Sequence, residues 1–598
     1  MNDKRLNVPR RTIIGLGPIA LAGCHSRSGE YFGRIVPPSE QRLVLENPFE
    51  PETLDPPLSS GGPEANIIRA LFEGLTAYHP RTLEPMAALA THYDVDASKM
   101  QFTFYLRGHP DPRGRKLPNT ATLDQEFRAG NPSQDFSRAF AVPPDSRPAR
   151  WSDGRIVTAH DIAYSWRRAV NPATAARKAF LMSPIRNADA IIAGRARPQD
   201  LGIQALDEFT VEVNLNTPTP FFLQLTSHET FCIVPAHVIE LARSSGRESS
   251  WTKPGHIVTN GPFMLQEWRP YDRLVVSKNP RYYESDHVAL RQISFLPVTD
   301  GATSTNLYKA GQADFMPVES LPQLLPALQR KRDLRIHPAF GTCFYIFNTK
   351  RPPFDNVFLR YALNMATEKA PVADFMGCLP ASTLIPACQG YDPPAAIPVS
   401  VNGVDRDVLS FDPESARHML ARAGFPNGIG PDGRRLNVEI LMPVAPDTEP
   451  IAEILQEQWR RTLGIEVSLA KQEFNVWLRA LFTGSYKGVS HFNEWGSYVD
   501  PAWFLSRFMA GTDAMATGWT DPEFDGMVST ANAVTRPSHR MRMLAECETH
   551  LLRAMPVLPL YRETWRHLEK PYVRGLESNL IAARRFKYAW IDTNWRPS

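Results

Sequence analysis

Residues Trp151 to Pro172 read WSDGRIVTAHDIAYSWRRAVNP, and this stretch decides how the chain is read. Ser152, Asp153 and Gly154 have turn chemistry: two short side chains that bond local amides, then a glycine tolerant of positive φ. Thr158 is placed as a helix N-cap, with Asp161 three residues on as the reciprocal acid of a capping box. Ile162, Trp166 and Val170 recur every four residues, so one helix face is apolar and predicted to be buried. Asn171-Pro172 ends the helix, because proline disfavours helical backbone in the residue before it. By physics alone, this is a turn feeding an amphipathic packing helix.

Working outward, the same alternation of strands, helices and tight turns continues. QFTFYLR places Phe102, Phe104 and Leu106 on one face of a strand, and FTVEVNL does the same with Phe209, Val211, Val213 and Leu215. Glu64 to Leu75 is predicted as a helix with Ile67, Ile68, Leu71 and Phe72 inward. From Cys343 to Asn348 the near-continuous apolar run CFYIFN reads as a strand covered on both faces. Leu436–Leu441, Ile451–Leu463 and Ile465–Leu469 form a strand, helix and strand joined by short links, a βαβ crossover. A helix from Met541 to Met555 and a strand from Val557 to Tyr561 follow. The polar segment from Gly108 to Arg150 reads as a surface insertion.

Trp-Ser-Asp-Gly, Thr-Ala-x-Asp, Tyr-Ser-Trp-x-Arg and Asn-Pro together resemble the signature of oligopeptide-binding proteins of ABC importers, extracellular solute-binding family 5. Further phrases resemble that family in the same order along the chain. They are Glu52-Thr53-Leu54-Asp55-Pro56, Phe72-Glu73-Gly74-Leu75-Thr76, Val258-Thr259-Asn260-Gly261-Pro262-Phe263 and Gly311-Gln312-Ala313-Asp314. The resemblance implies an α/β, two-lobed periplasmic-binding-protein fold of type II with an additional third domain. It implies a discontinuous lobe I (36–72, 236–342 and 559–598), a domain II (73–235, with the insertion 108–150) and a lobe III (343–558). The implied function is capture of oligopeptides or peptide-like solutes between lobes and delivery to an ABC permease and its ATPase, without catalysis. A non-peptide solute such as a metal chelate or glycan fragment is the alternative on the same scaffold, and a secreted hydrolase is the alternative from another class.

By the same resemblance, the ligand-facing positions are Ser60, Gly61 and Gly62, then Thr342, Cys343 and Phe344 after Gly341, and Glu494, Trp495, Gly496, Ser497, Tyr498 and Asp500. Peptide-binding members commonly carry an aspartate three residues after this tryptophan to hold the ligand's α-amine. Here Tyr498 stands there and the Trp-to-Pro run is one residue short, so Asp500 or Glu494 takes over, or the ligand has no free amine at that place.

The chain's start has a different character. Lys4, Arg5, Arg10 and Arg11 precede a short apolar run, Thr12 to Gly23. As a helix that run rises only ~18 Å against a ~30 Å hydrocarbon core. It therefore reads as an export signal over residues 1–23, followed by a tether over 24–35. Leu21-Ala22-Gly23-Cys24 resembles a lipobox with Cys24 as the lipidated residue, and Arg10-Arg11 resembles a twin-arginine signal. Periplasmic or cell-envelope localisation follows, with the membrane reached through lipid alone.

The 598 residues exceed one core and suggest several domains. Proline stands at 54 residues, nearly twice the usual ~5%, which favours ordered turns. Without residues 1–23 the acidic and basic residues balance, and no basic run interleaved with aromatics suggests nucleic acid. A monomer is expected. Cys378 and Cys388, ten apart in a proline-containing loop, form the candidate disulfide.

Catalytic patterns fail one by one. Gly61-Gly62 before a helix lacks the Gly-Lys-Ser/Thr ending of a phosphate loop. No GxSxG occurs. His228-Glu229-Thr230-Phe231-Cys232 has no second histidine at i+4 for zinc. No CxxC pair occurs, and the 15 histidines lack ligand spacing, so neither metal nor cofactor is expected.

Overall fold

The computed structural model describes residues 31–59, 61–119, 147–318, 321–512 and 515–597. The export segment, Cys24, Ser60 and residues 120–146 of the insertion lie outside the described residues.

The helix predicted from the opening stretch forms over Ala159–Val170, and its capping box is complete: the Thr158 amide donates to Asp161 Oδ2 at 2.9 Å. Ile162, Trp166 and Val170 are buried, and the Trp166 indole donates to the Phe231 carbonyl at 3.2 Å. The helix packs against a small antiparallel sheet ordered Arg115–Lys116, Ala90–Val95, Gln101–Leu106, Thr210–Asn214, Ile203–Ala205. Phe102 and Phe104 turn to its buried face, as their alternation requires. This sheet and its helix form the third domain.

The rest is organised by one large sheet of eleven strands. Its order runs Glu466–Gln472, Asn437–Pro443, Val489–Trp495, Leu334–Phe347, Val557–Glu569, Phe315–Pro317, Arg42–Asn47, Gln292–Pro297, Arg273–Lys278, Phe263–Arg269, with Leu379–Pro380 on the side of Val557–Glu569. Asn437–Pro443 and Glu466–Gln472 pair in parallel around the helix Thr448–Leu463, which is the predicted crossover. The first three strands belong to lobe III, and the last five to lobe I.

Two strands serve both lobes. Leu334–Phe347 has 14 residues and Val557–Glu569 has 13, about 45 Å each at ~3.3 Å per residue. The sequence reading placed only the Cys343–Asn348 and Val557–Tyr561 portions as strand. The strands extend further because each continues into the other lobe. Their antiparallel register breaks between Pro338 and Thr342, which face Thr564 and Arg562. Pro338 has no N–H to give the ladder, and Phe340 leaves it: its amide donates to the Leu580 carbonyl and its carbonyl accepts from Gly496, both at 2.7 Å. The register shifts again between Cys343 and Phe344, so the lobes are joined through an irregular stretch of the ribbon.

Candidate functional site

The motif residues converge, but on a seam between lobe I and the third domain. Arg168, from the organising helix, forms a buried bidentate pair with Asp55 at 2.9 and 2.6 Å, and Trp251 Nε1 donates to the same carboxylate at 3.3 Å. The Trp-Ser-Asp-Gly turn docks on the second motif: the Ser152 amide donates to the Thr259 carbonyl at 2.7 Å, and the Thr259 amide to Ser152 Oγ at 3.0 Å. Asn260 clamps the Glu73 backbone from both sides, at 2.9 and 3.2 Å.

The Glu73 side chain is itself buried. It accepts from Tyr282 at 2.9 Å, from Tyr283 at 2.5 Å and from Arg585 at 2.8 Å. Lys587 lies 3.7 Å away and donates to Glu284 at 2.7 Å. Burial opposes the Lys587 charge, but Glu284, Tyr588 and Glu73 outweigh it and hold its pKa above the ordinary lysine value. From the third domain, Arg107 approaches Glu284 at 3.7 Å and covers the Tyr283 ring at 3.9 Å. These charges are satisfied within the protein, so the seam is a structural latch.

A second junction lies between the third domain and lobe III, and there the predicted site residues divide. Gly61 caps the helix Gly62–Leu71 with φ +140°, a conformation that L side chains rarely adopt. Among the described residues, a Cβ at Gly61 would meet only Lys178 Nζ, at 3.7 Å, and one at Gly62 would meet nothing within 4 Å. This backbone is open to an incoming molecule. Lys178 of the third domain lies beside it and pairs with Glu229 at 3.3 Å. Glu229 also takes Arg69 at 2.7 Å. Burial opposes the Glu229 charge, but His228, Arg69 and Lys178 outweigh it and lower its pKa.

The third domain also meets the loop after Val489–Trp495 and the helix that follows it. Trp495 is half-buried against Trp565, ring centroids 4.4 Å apart, and Ser497 is half-buried. Gly496 is required where it stands, since a Cβ there would run into the Phe340 ring. Tyr498 stacks on Phe221 of the third domain at 5.2 Å with 10° between planes. Phe180 meets Trp503 at 6.1 Å. Phe180, Phe221, Lys178, Arg507 and Arg540 are not among the residues that the sequence analysis singles out.

Several expectations need correction. Asp500 does not face an open cleft: Arg540 holds it bidentately at 2.6 and 2.8 Å, and it also caps the Ala502 amide at 2.9 Å. Glu494 is buried, accepts from Trp503 Nε1 at 2.8 Å and pairs with Arg507 at 3.1 Å. Burial raises its pKa against the opposing pull of Arg507. Neither carboxylate is left over for an amine. Thr342, Cys343 and Phe344 are wholly buried. Thr342 Oγ1 donates to the Leu384 carbonyl at 2.7 Å and Cys343 Sγ lies 3.5 Å from His491 Nε2, so their side chains serve the hinge and lobe III.

The disulfide does not form: Cys378 and Cys388 are both free. Cys378 Sγ lies against Thr564 Oγ1 at 3.5 Å, whereas Cys388 bridges through its backbone to Tyr391 in the electrostatic reach of Asp500 and Arg540. The two thiols thus sit in different surroundings. Among the described residues no His, Cys, Asp or Glu group could hold a metal ion, and no helix is long and apolar enough to cross a membrane.

Two lobes joined by a two-strand ribbon, with a third domain latched to one of them, define a solute-binding protein. The chain belongs to the bacterial extracellular solute-binding proteins, family 5, whose model matches residues 147–516. It is 27% identical to the periplasmic oligopeptide-binding protein OppA of Escherichia coli, over 95% of this chain and 96% of that protein. The oligopeptide-binding protein OppA of Bacillus subtilis is 26% identical over 86% of this chain and 87% of its own length. The solved murein tripeptide binding protein MppA of E. coli superposes with a TM-score of 0.72 at 27% identity, covering 93% of this chain and 99% of that one.

Proposed function

We propose that this chain captures a peptide between lobe III and the Gly61-Gly62 face of lobe I and the third domain, and hands it unchanged to an ABC permease. The observation that carries the reading is the open backbone at Gly61-Gly62, with Lys178 beside it and within electrostatic reach of Glu494, in a member of a solute-binding family whose named relatives are oligopeptide-binding proteins. Exposed backbone suits a receptor for many sequences, since main-chain hydrogen bonds do not discriminate among side chains. The two-strand ribbon is the hinge about which the lobes close.

With Asp500 and Glu494 engaged by Arg540, Arg507 and Trp503, the ligand's amine is held by carbonyls of the open loops, or the ligand is blocked at its N-terminus. The division into lobe I (36–72, 236–342, 559–598), domain II (73–235) and lobe III (343–558), the lipid at Cys24 and a monomeric state belong to the same proposal. Native mass spectrometry of the purified protein tests it. A retained mass matching short peptides, with a smaller radius of gyration in the loaded form, is expected. Peptides recovered cleaved, or no change in scattering with a broad peptide library, would falsify the reading.

A further inference from the structure

A cavity of about 570 Å³, lined by neither Gly61-Gly62 nor the Trp495–Tyr498 loop, has its floor formed by the lobe I end of the crossing ribbon. Arg335 faces His567 across the ladder, and His337 and Glu569 lie two residues along on their respective strands. Alternation brings these four side chains to one face. Loop residues 573–578 and Trp590 and Asp592 supply the walls.

The groups on this floor are polar and unspent. His567 is 3% exposed, stacks on Phe315 at 4.5 Å, and its Nδ1 has no hydrogen-bond partner; nor has Nε2 of His337. The Glu569 carboxylate accepts no hydrogen bond among the described residues, and Arg335 donates only to the carbonyls of Arg332 and Leu334, its own neighbours. The other charges on the wall are already matched: Arg81 with Glu577 at 3.3 Å and Arg574 with Asp592 at 3.9 Å. A buried polar atom without a partner is costly, and here a cation, a carboxylate and two imidazole nitrogens share one space.

A simple anion would meet Glu569, and a simple cation would meet Arg335. A molecule carrying both charges satisfies both. We propose that this cavity binds a small zwitterion, a free amino acid or a solute of dipeptide size, with its carboxylate on Arg335 and the open imidazole nitrogens and its ammonium on Glu569. The site is separate from the interlobe cleft and does not depend on the ligand assigned there.

The pH dependence has a definite sign. Burial lifts the Glu569 carboxyl to about 7 against the pull of Arg335, Arg584 and Arg574, with Glu577 adding to the rise. His337 is held down to about 4 by burial, Arg335 and Arg584; burial with Arg584, His337 and Arg335 holds His567 well below its usual value. His337 is therefore neutral over the window of about pH 5.5 to 7.5, in which Glu569 gains its charge. Binding of the ammonium tightens as pH rises across that window.

Isothermal titration of the full chain with L-alanine, acetate, methylamine and inorganic phosphate tests this. L-Alanine is expected to bind, and acetate and methylamine to bind at least about tenfold more weakly. E569Q and H567F are each expected to weaken L-alanine by about tenfold. R335Q, at a half-exposed position, repeats the test where folding is least at risk. Oligopeptide capture, read in parallel, is expected to survive all three variants, which separates failure of this site from failure of the cleft. The proposal is overturned if L-alanine gives no heat up to about 10 mM, if phosphate or acetate binds as well, or if its affinity is unchanged in E569Q and H567F.

Discussion

Where the third domain meets lobe I, its charges are buried and paired: Arg168 on Asp55, Arg107 toward Glu284, and Glu73 ringed by Tyr282, Tyr283 and Arg585. Where it meets lobe III, the contacts are mostly of another kind: Phe221 on Tyr498, Phe180 beside Trp503, and Arg540 over the Phe221 ring. Paired buried charges cannot separate without leaving an unsatisfied ion in a poor solvent for it. Stacked rings separate at the cost of their contact area alone. One seam is built to stay shut, and the other can open and close many times. In the closure proposed above, the third domain would then move with lobe I while lobe III swings.

The largest effect is expected from breaking the latch. Glu73→Ala strands Arg585 and the two tyrosine hydroxyls, and should lower stability by about 3–5 kcal/mol, read as a shift of the urea midpoint. A loss under about 1 kcal/mol would erase the distinction between the two seams.

Next comes pH. Burial, and then Lys178 and Arg69, hold the His228 imidazole down to about 3 against the opposing pull of Glu229. The folded protein refuses a proton that the unfolded chain takes below about 6.5, so this group removes stability as pH falls from 6.5 toward 3. Measured by urea melts at several pH values, His228→Gln should lose ground least at low pH. Equal slopes in variant and wild type would remove His228 from the account.

Phe221→Ala probes the open seam. Part of its effect on stability, about 0.5–1.5 kcal/mol, comes from the lost stack on Tyr498. Its main effect should be on closure, seen as a larger radius of gyration in the ligand-loaded protein and weaker peptide capture. Unchanged scattering and affinity would show that the stack plays no part in closing.

The smallest change is expected at the rim of the latch, where Arg177 pairs with Glu52 at 2.6 Å with both side chains more than half exposed. Arg177→Ala should cost no more than about 0.5 kcal/mol. A larger loss would place the strength of the seam at its edge.

Much of the scaffold was legible because it depends on local periodicity. The capping box at Thr158 and Asp161, the buried face of Ile162, Trp166 and Val170, and the βαβ unit around Thr448–Leu463 all appear where the pattern puts them. The site was less legible. Thr342, Cys343 and Phe344 sit in the right strand but spend their side chains inside the hinge. Asp500 keeps its place beside Pro501, yet its charge is claimed by Arg540, 40 residues away. Nothing in the spacing of either residue announces the other.

What the sequence determined alone is the set of elements and their family, because turns, caps and apolar stripes are short-range and each is written within a few residues. Which carboxylates are spent and which remain free was decided only in three dimensions. Glu494, Asp500 and Glu569 are all buried or half-buried acids near arginines, and the chain order does not distinguish them. Coulomb energy falls with distance through space, so only the folded arrangement sets which ones have a partner within hydrogen-bonding reach.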